Sequence, residues 1–128
     1  MTTTSINDNQ SADKAPTTDK PVDLVYLSKQ TFGSKELETE VLGLFLSHSV
    51  QCLMRLKNAV DDKEWLEAAH SIKGSAKAIG AWAISETAET YERKAAEGAL
   101  ENKEAACSDL ENLIGETNSY ISNLIKAA

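Results

Sequence analysis

The segment DDKEWLEAAHSIKGSAKAIGAW, residues 61 to 82, places Trp65, Ala69, Ile72, Ala76 and Ile79 at the three- and four-residue spacing of a helix with one buried face. Asp61 stands where an N-cap belongs, with Glu64 three residues on in the pattern of a capping box. Gly80 is the expected stop, because the residue that closes a helix often takes a left-handed backbone that glycine adopts without strain. A new apolar stripe, Ile84, Ala88, Tyr91 and Ala95, begins just beyond it and runs out near Gly98. Residues 61 to 98 therefore read as two antiparallel helices joined at Gly80 and Ala81.

The same periodicity extends to both sides. Upstream, Ser34 is a candidate N-cap for a first long helix carrying Leu37, Val41, Leu44, Phe45, Cys52, Leu56 and Val60. Downstream, a last helix from about Asn102 to Lys126 carries Leu110, Leu113, Ile114, Ile121, Leu124 and Ile125, and tolerates Gly115 at about 1 kcal/mol against alanine. Val22, Leu24, Val25, Leu27 and Phe32, just before Gly33, suggest a small helix closed by a turn. Residues 1 to 21 are rich in Thr, Ser, Asn, Asp and Lys, with Pro16 and Pro21, and are expected to be a mobile tail. The expected architecture for residues 22 to 128 is all-α: an antiparallel up-down four-helix bundle with a short additional N-terminal helix.

Composition narrows the function. A chain of 128 residues allows one domain, and 20 acidic against 13 basic side chains give a net charge of -7, which would repel nucleic acid and anionic lipid. No apolar run has the character of a signal peptide or the length of a bilayer span, so a cytoplasmic protein is expected; it is also expected to be a monomer. Cys52 and Cys107 share no ligand spacing with a histidine, which leaves no support for a metal site. Buried, reduced thiols are the expected state, with a disulfide as the alternative.

The chemistry concentrates around His70. With residues turning about 100° each, Lys73, Gly74 and Lys77 fall within about 60° of His70 on the helix wheel, and the apolar stripe centres roughly 140° away. The imidazole should thus face solvent. Two lysines on one strip of an acidic protein suit an anion, and a phosphoryl group is the candidate. Gly74, one turn on, costs helix stability and is expected to give steric clearance; close helix–helix approach is its competing use. His70 lies eleven residues before Ala81 and Glu92 eleven after. An antiparallel hairpin then lets Glu92 reach the Nδ1–H of His70 and leaves Nε2 as the exposed nucleophile. His48 is expected to be a packed or edge histidine, and nothing resembles a phosphate-cradling glycine loop.

The run AHSIKGSAKAIGA resembles the signature of the histidine-containing phosphotransfer (HPt) domain. In that family the histidine is followed by lysine at the third position, glycine at the fourth and often glycine at the tenth, and His70, Lys73, Gly74 and Gly80 match. The resemblance covers the helical plan of about residues 22 to 126. It implies a small helical bundle whose histidine takes a phosphoryl group from the aspartate of one receiver domain and passes it to another. For Glu92 it implies less, because the family uses Glu or Gln there at a variable spacing.

On this reading the chain is a phosphorelay intermediate: a carrier rather than an enzyme, with no cofactor of its own and Mg²⁺ expected on the partner receiver. Its expected partners are response-regulator receiver domains, with a hybrid sensor histidine kinase upstream. Docking is expected around Ile72, Ala81 and Trp82, together with exposed positions of the first long helix. The rival reading is a helical adaptor that binds a receiver without accepting phosphate.

Overall fold

The computed structural model describes residues 19–127, in which five helices follow one another: α1 (Leu24–Gln30), α2 (Lys35–Asn58), α3 (Asp62–Ile79), α4 (Trp82–Ala96) and α5 (Lys103–Ala127). The four long helices close a ring in which α2 packs on α3, α3 on α4, α4 on α5 and α5 back on α2, while α1 lies against α3. This is the expected bundle with its short extra helix. The expected tail lies outside the described residues, apart from positions 19–21.

Three of the long helices are capped by side chains at their N-termini, two of them at the expected Ser34 and Asp61. Ser34 Oγ accepts the Leu37 amide at 3.1 Å, Asp61 Oδ1 accepts that of Glu64 at 2.9 Å, and Asn102 Oδ1 accepts that of Ala105 at 2.9 Å. Asn102 is therefore the cap of α5 and not its first turn. Glu64 differs from a strict capping box, because its carboxylate takes the amide of Val60, the residue before the cap, at 3.0 Å.

Inside the ring, α3 contributes Trp65, Ala68, Ala69, Ile72, Ala76 and Ile79, all buried, and its alanines let the flanking helices approach closely. From α5 come Leu110, Ile114 and Ile121, and from α4 Ile84 and Ala88. The expected stripe of α2 needs correction. Its inward line is Leu42, Phe45, Ser49, Cys52 and Leu56, whereas Leu37 and Leu44 stand roughly 100° round the helix and are exposed. Val60 is exposed because it follows the end of α2. Ser49 fits the core because its hydroxyl accepts from Asn118 Nδ2 at 3.0 Å and donates to the Leu46 carbonyl at 3.2 Å. Both cysteines are buried and unbridged, and burial raises the pKa of the Cys52 thiol despite the opposing charge of Arg55. No described helix is long and apolar enough to cross a membrane.

The turn between α3 and α4 is held from outside. Gly80 is left-handed at φ 75°, and the amides of Gly80 and Ala81 return to Lys77 O at 3.2 Å and Ala76 O at 2.9 Å, the paired bonds of a Schellman motif. Against it sits Asp23, a buried residue that the sequence reading passed over. Asp23 donates its amide to Gly80 O at 3.0 Å, caps α1 by accepting the Tyr26 amide at 3.1 Å, and accepts the indole N–H of Trp82 at 2.9 Å. Tyr26 meets Trp82 edge to face at 4.8 Å. A Cβ on Gly80 would lie 2.9 Å from Asp23 Cβ, so glycine is required there for space as well as for backbone conformation.

Replacing Asp23 by Ala should therefore strand a buried N–H at a cost of about 1–3 kcal/mol and remove a cap worth about 1 kcal/mol. Urea unfolding followed by circular dichroism measures the loss. Asp23→Asn, whose single amide oxygen can replace only one of the two acceptor oxygens used by Tyr26 and Trp82, should recover only part of it.

Candidate functional site

The register counted from Gly80 brings His70 on α3 opposite Glu92 on α4. His70 Nδ1 lies 2.8 Å from Glu92 Oε2, and Lys73 Nζ lies 2.7 Å from Glu92 Oε1. One carboxylate thus receives a hydrogen bond at each oxygen, one from the imidazole and one from the ammonium. Desolvation raises the Glu92 pKa, but the hydrogen bonds and positive charges of Lys73 and His70 outweigh it and hold the carboxyl below its usual range. An ionised Glu92 can only accept, so Nδ1 carries a proton, and in the neutral form of the ring the free lone pair is then on Nε2. The His70 side chain is 68% exposed, while those of Glu92 and Lys73 are 23% and 18% exposed. A solvent-facing ring rests on a half-buried support.

The other expected residues divide. Lys77 is half-buried on the same strip as His70, and no described residue engages its ammonium. Gly74 is exposed, and a Cβ there would meet nothing within 4 Å, neither a neighbouring helix nor the ring of His70. Close helix packing is therefore not what Gly74 serves, and the space it leaves opens outward. Gly80 stops α3 as expected.

Ile72, Ala81 and Trp82 are not surface residues. Ile72 and Ala81 are fully buried, and Trp82 is 9% exposed with its indole nitrogen on Asp23. Ile72 belongs to the inward stripe of α3, and the other two lie beneath α1, whose contact with the turn the sequence did not announce. What borders His70 on the exposed side is α2. Val41, Leu44 and His48 line a shallow groove against Ser75 and Ala78 of α3, and Leu44 and Met54 are among the large apolar side chains left exposed. His48 is the edge histidine expected, its Nε2 3.3 Å from Cys52 Sγ.

Sequence reasoning also missed Arg55, whose Nη1 lies 3.5 Å from Ser71 Oγ, beside His70. The α3–α4 hairpin has a tip from which to count, but the connection from α2 to α3 at residues 59–61 is looser, so its register was not readable. Leu44, seven residues after Leu37, was the available signal that α2 carries a second apolar line, and both are exposed.

With this geometry in view, comparisons with known proteins agree on one family. The Hpt domain model matches residues 40–120, more than half of the chain and the span that holds α3, α4, His70 and Glu92. Among solved structures, histidine-containing phosphotransfer protein B (HptB) from Pseudomonas aeruginosa PAO1 shares the fold with a TM-score of 0.79 at 19% identity, covering 87% of this chain and 99% of that one. No curated protein matches the chain. By its sequence family and its helical bundle, the chain belongs to the Hpt domain proteins, and its role is histidine phosphotransfer in two-component signalling.

Proposed function

We propose that His70 is the phosphoryl carrier of this chain, loaded by the aspartyl phosphate of one receiver domain and unloaded by the aspartate of another. The observation that carries the reading is the 2.8 Å bond between Nδ1 and Glu92, which in the neutral imidazole assigns the proton to Nδ1 and the lone pair to Nε2, on a side chain 68% exposed. In the loading step the Nε2 lone pair forms the N–P bond as the acyl P–O bond breaks, and that electron pair returns to the receiver carboxylate. The Nδ1 proton stays in place. The positive charge that the ring acquires is met by Glu92, so no base has to remove a proton during transfer. Unloading reverses these movements on the second receiver. The divalent cation that favours such transfers would come with the receiver, and a hybrid sensor histidine kinase would stand upstream.

Docking follows from the corrected surface. A receiver centred on His70 would cover the outward face of α3 and the exposed line of α2, with Leu44 and Met54 as apolar contacts and Arg55 at the rim. Gly74 leaves room for the receiver's backbone to come close to the ring.

The central test is His70→Gln, which should abolish acid-labile, alkali-stable labelling by phosphorylated receivers while leaving receiver binding intact; labelling that survives would overturn the assignment. Leu44→Asp should slow transfer from a receiver tenfold or more, the loss of a contact worth about 1.4 kcal/mol, without altering labelling by the small donor phosphoramidate. Gly74→Ala should stabilise the free protein by about 0.5–1 kcal/mol, since the new methyl meets nothing, yet slow transfer from receivers. Urea unfolding and a labelling time course on the same sample separate the two effects.

The depressed pKa of Glu92 has a signed consequence. Its contribution to stability is full above the pKa of the unfolded carboxyl and is lost as pH falls through the lower folded value. Urea midpoints measured from neutral into acid pH should therefore fall more steeply for the parent protein than for Glu92→Gln.

A further inference from the structure

The two lysines beside His70 are not equivalent. Lys73 Nζ is spent on Glu92 Oε1 at 2.7 Å, under 18% exposure, while Glu92 Oε2 holds His70 at 2.8 Å. A glutamate side chain has several rotatable bonds, and here both of its oxygens are engaged. If Lys73 swung out to meet a phosphoryl group, one oxygen of a half-buried carboxylate would lose its partner and the other would be free to turn away from Nδ1. Lys77 lies four residues further along the same strip, and no described residue occupies its ammonium. Its Cα is about 10 Å along the axis from that of His70, and helical side chains lean toward the N-terminus, which sends its long stem back toward the ring.

We infer that Lys73 is a positioning residue that fixes the His70 tautomer through Glu92, and that Lys77 is the cation that meets the phosphoryl group. This rests on the reading of His70 as the carrier. Lys73 then sets how much of the ring presents a free Nε2 before any partner arrives, whereas Lys77 acts only once an anion is present. The basic strip around the histidine is thus divided between an internal brace and an external contact.

The experiment compares the parent protein with Lys73→Met, Lys73→Arg and Lys77→Met. Nitrogen-15 NMR of the His70 ring reports the tautomer, and labelling is followed with phosphoramidate and with a phosphorylated receiver. Lys73→Met should move the ring toward the Nε2–H form and slow labelling by both donors, approaching the roughly 100-fold loss that an ångström of misplacement can cause. Lys73→Arg should restore both. Lys77→Met should leave the tautomer unchanged, slow labelling and weaken its dependence on salt. The inference is overturned if Lys73→Met keeps the Nδ1–H form yet transfers poorly, which would make Lys73 a direct phosphoryl contact, or if Lys77→Met labels at the parent rate. Should neither donor label parental His70, the carrier reading falls, and the NMR comparison still decides whether Lys73 holds the ring through Glu92.

Discussion

Everything at the site depends on the antiparallel register of α3 and α4, which is pinned where the chain reverses at Gly80. A left-handed residue with its two return hydrogen bonds ends α3, and the backbone of Asp23 closes on the Gly80 carbonyl from outside. A slip of one residue would rotate each helix by about 100° and carry Glu92 away from His70. The short N-terminal helix, remote from the chemistry in sequence, therefore participates in holding the histidine.

Given that register, the site is built from ordinary parts. The imidazole is exposed because it lies opposite the alanine-rich inward stripe of α3. It is oriented because a partly desolvated carboxylate, kept ionised by Lys73, accepts its Nδ1–H. The three side chains, His70, Lys73 and Glu92, stand on two helices, and none of them is drawn from a loop. The apolar line of α2 runs beside them, with Leu44 exposed.

Much of this was legible in the residues. The helices, their caps at Ser34 and Asp61, and the stop at Gly80 followed from spacing and from side chains that bond locally. The pairing of His70 with Glu92 followed because a tight turn converts sequence distance into spatial partnership. Three features were not legible, and each depends on tertiary contact. The inward line of α2 includes Ser49, a polar residue admitted to the core by Asn118 from a distant helix. Trp82 and Ala81 looked available because nothing in their neighbourhood announces that α1 folds over them. Lys73 looked like a free cation because a helical wheel shows which way a side chain faces and not what it holds.

The 68% exposure of the His70 side chain has a kinetic meaning. A phosphoryl group placed there would stand in bulk water, with no walls of this protein to shelter the N–P bond. The dwell time of the charged carrier between partners would be governed by the intrinsic hydrolysis of that bond and by the speed of the next encounter. Dehydration of the reacting atoms, and with it the choice between productive transfer and waste, would belong to whichever protein closes over the ring.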